Sequence, residues 1–402
     1  MTAGRDLRSG TSVWSGSAGA HVATRRLAHS LKADVVIVGA GISGALMAHA
    51  LSRHFDRIVV FDRRPPLHGS TMASTAMLQF EIDTPLIKLS DQIGAARATR
   101  AWWRSWRATQ ELVRMIEAEG LRCGLQKRDA LYLSGDTLGH RALRSESEAR
   151  RRAGIAGEYL TAAQLRDRFG IDREGAILSP GSASANPVQL AAALLRRAAK
   201  AGVAVYSPVR IENVLATAHG VVLDAGDVFV EARHCVFCTG YELLKGIPRD
   251  GVKIASSWAI ASRPNAHYPA WLDDTLLWEA SDPYLYMRTT TDRRIVVGGE
   301  DEDDDAPGHR ALVLPRKSAR LAQKLKTLIP GLAFSVGKRW AGAFGESRDG
   351  VPIIDRVPGL PNCHVVMGVG GNGTIFSFIA AQMLSRALQG RRDGDSDLFG
   401  FR

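Results

Sequence analysis

The chain has 402 residues, of which 45% are hydrophobic and 23% charged, with a formal net charge of +11 and four cysteines. This balance belongs to a globular protein long enough for two domains, or for one domain with a second inserted into it, and it excludes the disordered and fibrous classes. The longest apolar runs, 35–40 and 365–369, fall far short of the roughly 20 residues that cross a bilayer, so no membrane span is expected.

Residues 1–32 carry Arg5, Arg8, Arg25, Arg26 and Lys32 against one acid, Asp6. They lack the apolar core of a secretory signal and read as a basic strap on the domain surface, ahead of an organelle transit peptide; a cytoplasmic location is the expectation. Arginine is spread along the whole chain without a dense run interleaved with aromatics. A generally basic surface is therefore expected, not a nucleic-acid partner.

From Asp34 an apolar run leads into Gly39-Ala40-Gly41-Ile42-Ser43-Gly44 and then an Ala- and Leu-rich stretch: a strand, a Gly-rich turn and a helix. Gly39 permits the tight turn, Gly41 lets the backbone approach a pyrophosphate, and Gly44 lets the helix pack closely on the strand. The helix start offers free N–H groups and a positive dipole end to phosphates. A second strand, 57–61, ends in Asp62, 18 residues after Gly44 and placed to accept hydrogen bonds from ribose hydroxyls. The order strand, glycines, helix, strand, acid marks a dinucleotide-binding unit of Rossmann type. An acid at 62 disfavours the extra phosphate of NADP, but this unit alone does not separate NAD from FAD.

Arg63 and the small residues Gly69, Ser70, Thr71, Ser74 and Thr75 follow, at a helix start suited to a second phosphate or cofactor contact. Trp102, Trp106, Val113 and Ile116 recur at helical spacing and read as a packing stripe. Asn186-Pro187 opens a helix to Lys200, and strand-like runs then lead to Cys235-Val236-Phe237-Cys238-Thr239-Gly240. Positions three apart on a strand face opposite ways, so these cysteines are expected to be structural and to hold neither a disulfide nor a metal.

On the strand 284–288, Tyr284, Tyr286 and Arg288 share one face. The acidic run 300–305 reads as a solvated loop. Near the far end, 362–377 forms another strand, a Gly-rich turn (Gly370, Gly371, Asn372, Gly373, Thr374) and a helix.

These motifs, with Asp349-Gly350-Val351-Pro352-Ile353-Ile354, resemble the glycine and D-amino-acid oxidase family of flavoproteins, which includes sarcosine oxidase, glycine oxidase and gamma-glutamylputrescine oxidase. The resemblance runs from Ala33 to Gly390, and Ser12-Val13-Trp14 looks like the lead-in of its putrescine-derivative branch. It implies an α/β fold: a discontinuous Rossmann-type FAD-binding domain (33–80, 155–251 and 338–394) with an inserted α+β substrate domain (81–154 and 252–337) that roofs the flavin. It further implies non-covalent FAD held by residues 39–44, Asp62, Arg63, Gly69, Ser70, Thr71, Ser74, Thr75, Val209, Thr239, Gly240, Gly342 and the 370–374 turn, whose helix would face the flavin pyrimidine. The implied reaction oxidises the C–N bond of a small amine by hydride transfer to flavin N5, with dioxygen or an electron carrier as acceptor. Gln79, Trp258, Tyr284, Tyr286, Arg288 and Phe344 would line its pocket, the two tyrosines and Arg288 cradling an amine that carries a carboxylate. The stretch 340–345 departs from the pattern. It holds neither the carboxylate-gripping arginine of the amino-acid oxidases nor the flavin-linking cysteine of sarcosine oxidase, which excludes covalent attachment there and weighs against a simple alpha-amino acid. Two alternatives are a flavin dehydrogenase with a non-oxygen acceptor and a module that modifies amines on RNA; Lys253, before Ser256-Ser257-Trp258, reads as a surface lysine.

Overall fold

A computed structural model describes residues 7–249, 251–304 and 306–402, so Arg5, Asp6 and Asp305 of the segments above lie outside it. The chain opens with β1 (Arg8–Thr11), β2 (Leu31–Val38), α1 (Ile42–Leu51), β3 (Ile58–Phe61) and the two-residue β4 (Met77–Leu78). There follow α2 (Leu86–Ile93), α3 (Ala95–Ala118), β5 (Gln126–Leu133), α4 (His140–Arg152), β6 (Glu158–Thr161), α5 (Ala162–Phe169) and β7 (Gly175–Ser184). Next come α6 (Pro187–Lys200), β8 (Ala204–Tyr206), β9 (Asn213–Thr217), β10 (Gly220–Asp224) and β11 (Phe229–Phe237). The last part comprises β12 (Val252–Ser262), β13 (Thr275–Glu279), β14 (Leu285–Thr289), β15 (Ile295–Glu302), α7 (Pro307–Leu328), β16 (Val336–Ser347), β17 (Ile353–Arg356), β18 (Cys363–Met367) and α8 (Gly373–Leu388).

β2 is buried on both faces from Ala33 to Val38, as a central parallel strand must be. It anchors an eight-stranded sheet of order β17-β18-β11-β2-β3-β8, with the β9–β10 hairpin continuing from β11. β2 pairs in parallel with β3 on one side and β11 on the other. The strand order therefore reverses at β2, and a ligand crevice is expected at its carboxyl end. α6 begins there with a strong cap: the Asn186 side chain accepts the N–H groups of Val188 and Gln189, and Pro187 occupies the first turn.

The second sheet has ten strands in the order β1-β16-β12-β15-β14-β13-β5-β7-β4, with β6 on β7. One face packs on α7, where Leu321 and Leu325 meet Trp258, Ile260, Met287 and Val297. This sheet includes β6, β7 and β16, so residues 158–184 and 338–347 leave the dinucleotide-binding part to which the sequence assigned them. Local alternation marks a strand but not its partner, and here the partners are long-range, β5 for β7 and β12 for β16. The basic strap is likewise part of the fold: β1 pairs with β16, and Trp14 is buried with its Nε1 donating to the Ser74 carbonyl at 2.6 Å.

The tryptophan stripe of α3 behaves as core, with Trp102 fully buried, but α3 packs on α8 of the dinucleotide-binding part. Cys235 and Cys238 enter different clusters on opposite sides of the sheet, and all four cysteines are free. Among the described residues no helix is long and apolar enough to cross a membrane.

Candidate functional site

The crevice at the end of β2 is built by glycines that no other residue can replace. A Cβ on Gly39 (φ +110°) would lie 2.3 Å from the Cys238 carbonyl oxygen, and one on Gly44 would lie 1.8 Å from the Gly39 carbonyl oxygen. At Gly41 the nearest neighbour is the Thr71 hydroxyl, which accepts the Ile42 N–H at 2.9 Å and fastens the 69–75 segment to the start of α1. Ser43 meets Ser377 at 2.7 Å between hydroxyls, joining the N-terminal ends of α1 and α8.

Asp62 terminates β3 and accepts the N–H groups of Ala40 (2.7 Å) and Arg64 (2.8 Å). Burial raises its pKa, while these backbone donors pull it down. Arg63 and Arg64 both pair with Glu242, and burial, then Arg64, pushes the Arg63 guanidinium down to about 10.

A single cavity of about 910 Å³ is bordered by Gly39, Gly41, Ile42, Ser43, Asp62, Arg63, Gly69, Ser70, Thr71, Ser74, Thr75, Val209, Thr239, Gly240, Gly342 and the turn 370–374. Ala40 and Gly44 stand behind this wall: the Ala40 N–H is spent on Asp62, and Gly44 serves helix packing, as its spacing predicts. The same cavity is bordered by Gln79, Asp83, Ser257, Tyr284, Tyr286 and Phe344. Thr239 Oγ1 and Gln79 Oε1 are buried without a hydrogen-bond partner. Bare glycine backbone, a helix start and unmatched polar atoms fit a dinucleotide cofactor rich in hydrogen-bonding groups.

The turn before α8 departs from expectation in one respect. The Gly371 N–H, expected to face the flavin pyrimidine, donates to Asp83 Oδ2 at 2.8 Å. Beside it the Asn372 side-chain amide donates to the Glu81 carbonyl, so the 81–83 segment is tied to the turn twice. Glu81 itself is fixed below by Arg150, which also holds Glu146 at 2.7 Å and stacks 4.5 Å from the Trp102 ring.

The roof corrects one expected pocket residue, Arg288, and shows that another, Trp258, meets the cavity without its indole. Tyr284 and Tyr286 face the cavity with ring centroids 5.6 Å apart, and burial pushes the Tyr286 phenol up to about 12. Arg288, although on the same strand face, does not border the cavity. Its Nε donates to the Thr75 carbonyl at 2.6 Å, its Nη2 to the Ala185 carbonyl at 2.8 Å, and its guanidinium lies 5.1 Å from the Trp14 ring. A brace between three backbone segments cannot also cradle a carboxylate. Trp258 borders the cavity along the strand, but its indole points to the far face, donating to the Arg310 carbonyl of α7 under the Lys317 ammonium. Lys253 is exposed and paired with Asp303.

Three acids, Asp83, Asp301 and Glu346, escaped the sequence reading. The run 300–305 is no simple solvated loop: β15 continues to Glu302 through a bulge at Glu300 (φ 60°) opposite Ser256–Trp258. Glu300 and Glu302 turn to α7, where Lys324 and Lys317 meet them at 2.7 Å each. Asp301 turns the other way, toward the hydroxyls of Ser257 and Tyr284, with both oxygens buried and lacking a well-formed hydrogen bond. Burial lifts its carboxyl to about 6. On β16, Glu346 shares a face with Phe344 and Gly342, and burial, then Asp83 and Asp301, lifts it to about 7. Asp83 itself is raised by burial: it opens onto the cavity but is ringed by protein atoms, which displace bulk water. Strict alternation of β15 past Gly299 would put Glu300 on the cavity side and Asp301 on the α7 side; the bulge at Glu300 reverses this, so no local signal in the sequence marks Asp301.

With this geometry in place, comparison with known proteins is direct. The FAD dependent oxidoreductase family matches residues 34–387. Glycine oxidase of Geobacillus kaustophilus is 23% identical over 377 residues, covering 92% of this chain and 96% of its own. Among solved structures, iminodiacetate oxidase from Chelativorans sp. BNC1 superposes with a TM-score of 0.72 at 20% identity, over 90% of this chain and 96% of its own. L-proline dehydrogenase from P. horikoshii superposes with a TM-score of 0.74 at 15% identity, over 92% and 97% respectively.

Proposed function

Because the chain belongs to the family of FAD-dependent oxidoreductases and FAD is its cofactor, we propose that it oxidises the C–N bond of a small amine. The observation that carries this reading is the one cavity that joins the glycine cradle to a roof of Tyr284, Tyr286 and Phe344. FAD, when bound, supplies the two-electron acceptor for a hydride. The chain's own part is to hold the reacting carbon between the cradle and the aromatic roof, to exclude water, and to keep the amine unprotonated. Relatives named for glycine, iminodiacetate and proline support a C–N bond as the target. Dioxygen or an electron carrier would then take up the electrons.

The test is an absorbance spectrum of the purified protein before and after anaerobic addition of a panel of amines and amino acids. Flavin bands that bleach with an amine are expected. A flavin-loaded protein that no C–N compound bleaches would overturn the reading.

A further inference from the structure

Three consecutive backbone carbonyls on the cavity wall are each taken by a buried side chain. Trp340 Nε1 of β16 donates to the Ala73 carbonyl at 2.8 Å, Trp14 Nε1 of the strap to that of Ser74 at 2.6 Å, and Arg288 Nε of β14 to that of Thr75 at 2.6 Å. The donors are neighbours: Arg288 lies 5.1 Å from the Trp14 ring, and Ala73 and Val13 pack in one cluster with Trp340. Gly342 admits this approach, since a Cβ there would lie 2.6 Å from the Ala73 Cβ.

Ala73, Ser74 and Thr75 all border the cavity, and Thr75 hydrogen-bonds Tyr286, which puts this wall at the roof end, away from Asp62. With its carbonyls engaged, the segment has spent its acceptors on the protein, while the Thr75 N–H takes no acceptor among the described residues. A carbonyl released from the row could turn into the cavity and set its negative end against an electron-rich ring. The strap that carries Trp14 is itself anchored to both sheets. β1 pairs with β16, the Ser17 hydroxyl accepts the Asn186 amide at the start of α6 at 2.9 Å, and the Arg25 N–H donates to the Val205 carbonyl of β8 at 2.8 Å.

We propose that Trp14 is a positioning residue for the bound flavin: its indole holds the Ser74 carbonyl out of the cavity, so that the 73–75 wall offers donors and not acceptors to the cofactor. FAD gathers negative charge when it is reduced, and fixed donors beside it favour the reduced form. The proposal rests on FAD as the cofactor and is independent of the substrate.

The test is the reduction potential of the bound flavin, read by anaerobic dye equilibration of the purified holoprotein beside thermal denaturation. Trp14→Phe keeps a ring next to Arg288 and removes the N–H. It is expected to lower the flavin reduction equilibrium about tenfold, a fall of about 30 mV for a two-electron couple, with FAD still bound. Trp340→Phe releases the neighbouring carbonyl and is expected to move the potential in the same direction, which decides the matter should the first variant fold poorly. Trp103→Phe removes a comparable 2.8 Å bond, to the Ala153 carbonyl away from the cavity, and is expected to leave the potential unchanged. Loss of Tm in the Trp14 and Trp340 variants with potential and flavin spectrum unaltered would overturn the proposal and leave the row a structural brace. In the unaltered holoprotein, hydrogen exchange at 73–76 is expected to be no faster than at 12–17; wall amides that open while the strap stays protected would overturn it as well.

Discussion

Asp83 accepts the backbone N–H of Gly371 at 2.8 Å across 288 residues of sequence, which seats a carboxylate on the turn that opens α8. An acid at a helix N-terminus is favoured by the dipole and by the unpaired N–H groups there. The bond uses Oδ2, and Asp83 borders the cavity, so the same group that fastens the loop also faces the cavity.

Asp83→Asn separates these two roles. The amide oxygen can still accept from Gly371, so FAD content is expected to hold and stability to change by less than about 1 kcal/mol. Loss of the charge is expected to raise the Kd of a cationic amine about tenfold. A spectral titration of the bound flavin checks this, and an unchanged Kd would remove Asp83 from the substrate site.

Gly44→Ala tests the cradle. The added Cβ would overlap the Gly39 carbonyl oxygen, which is rigid backbone, so the β2 turn and α1 must separate. The expected result is a loss of roughly 3 kcal/mol or more and a protein purified with little FAD. Thermal denaturation and the flavin absorbance of the purified variant report both effects; a variant with full FAD and unaltered Tm would show that the helix and strand do not need this contact.

The cradle was legible in the sequence because its signals are local. Gly39, Gly41, Gly44 and Asp62 lie within one βαβ unit, where spacing alone places each group. The roof was less legible because its chemistry depends on pairing and on side-chain destination. Period-two alternation puts Arg288 with Tyr284 and Tyr286, yet cannot tell that the carbonyls of Thr75 and Ala185 wait for it. The bulge at Glu300 hides Asp301 inside what reads as an acidic loop, since one extra residue breaks the count of faces. The boundaries at 154 and 338 failed for a related reason: a strand pattern carries no address for its sheet.

Arg288→Ala distinguishes a brace from a pocket residue. Removing the guanidinium leaves two buried carbonyls without donors and a void beside Trp14, for which a loss of roughly 2–4 kcal/mol is expected. KM for a verified amine is expected to change less than about threefold in protein that remains folded. Denaturant unfolding together with steady-state kinetics checks the pair of outcomes; a large KM effect at unchanged stability would return Arg288 to the pocket.

Asp301 and Glu346 make stability depend on pH. Burial lifts their carboxyls to about 6 and about 7, with Asp83 adding to both; Asp303 raises Glu346 further, while Lys317 and Lys253 oppose the shifts on Asp301 and Glu346 respectively. The folded chain therefore holds protons that the unfolded chain releases above the ordinary carboxylate range. Their contribution to stability is full below the unfolded pKa values and is lost as pH rises through about 6 and about 7. Asp301→Asn is thus expected to stabilise the ligand-free protein by roughly 1–3 kcal/mol near pH ~8 and to give no gain near pH ~4, measured by denaturant unfolding at both values. An equal gain at both would assign the effect to packing instead of charge.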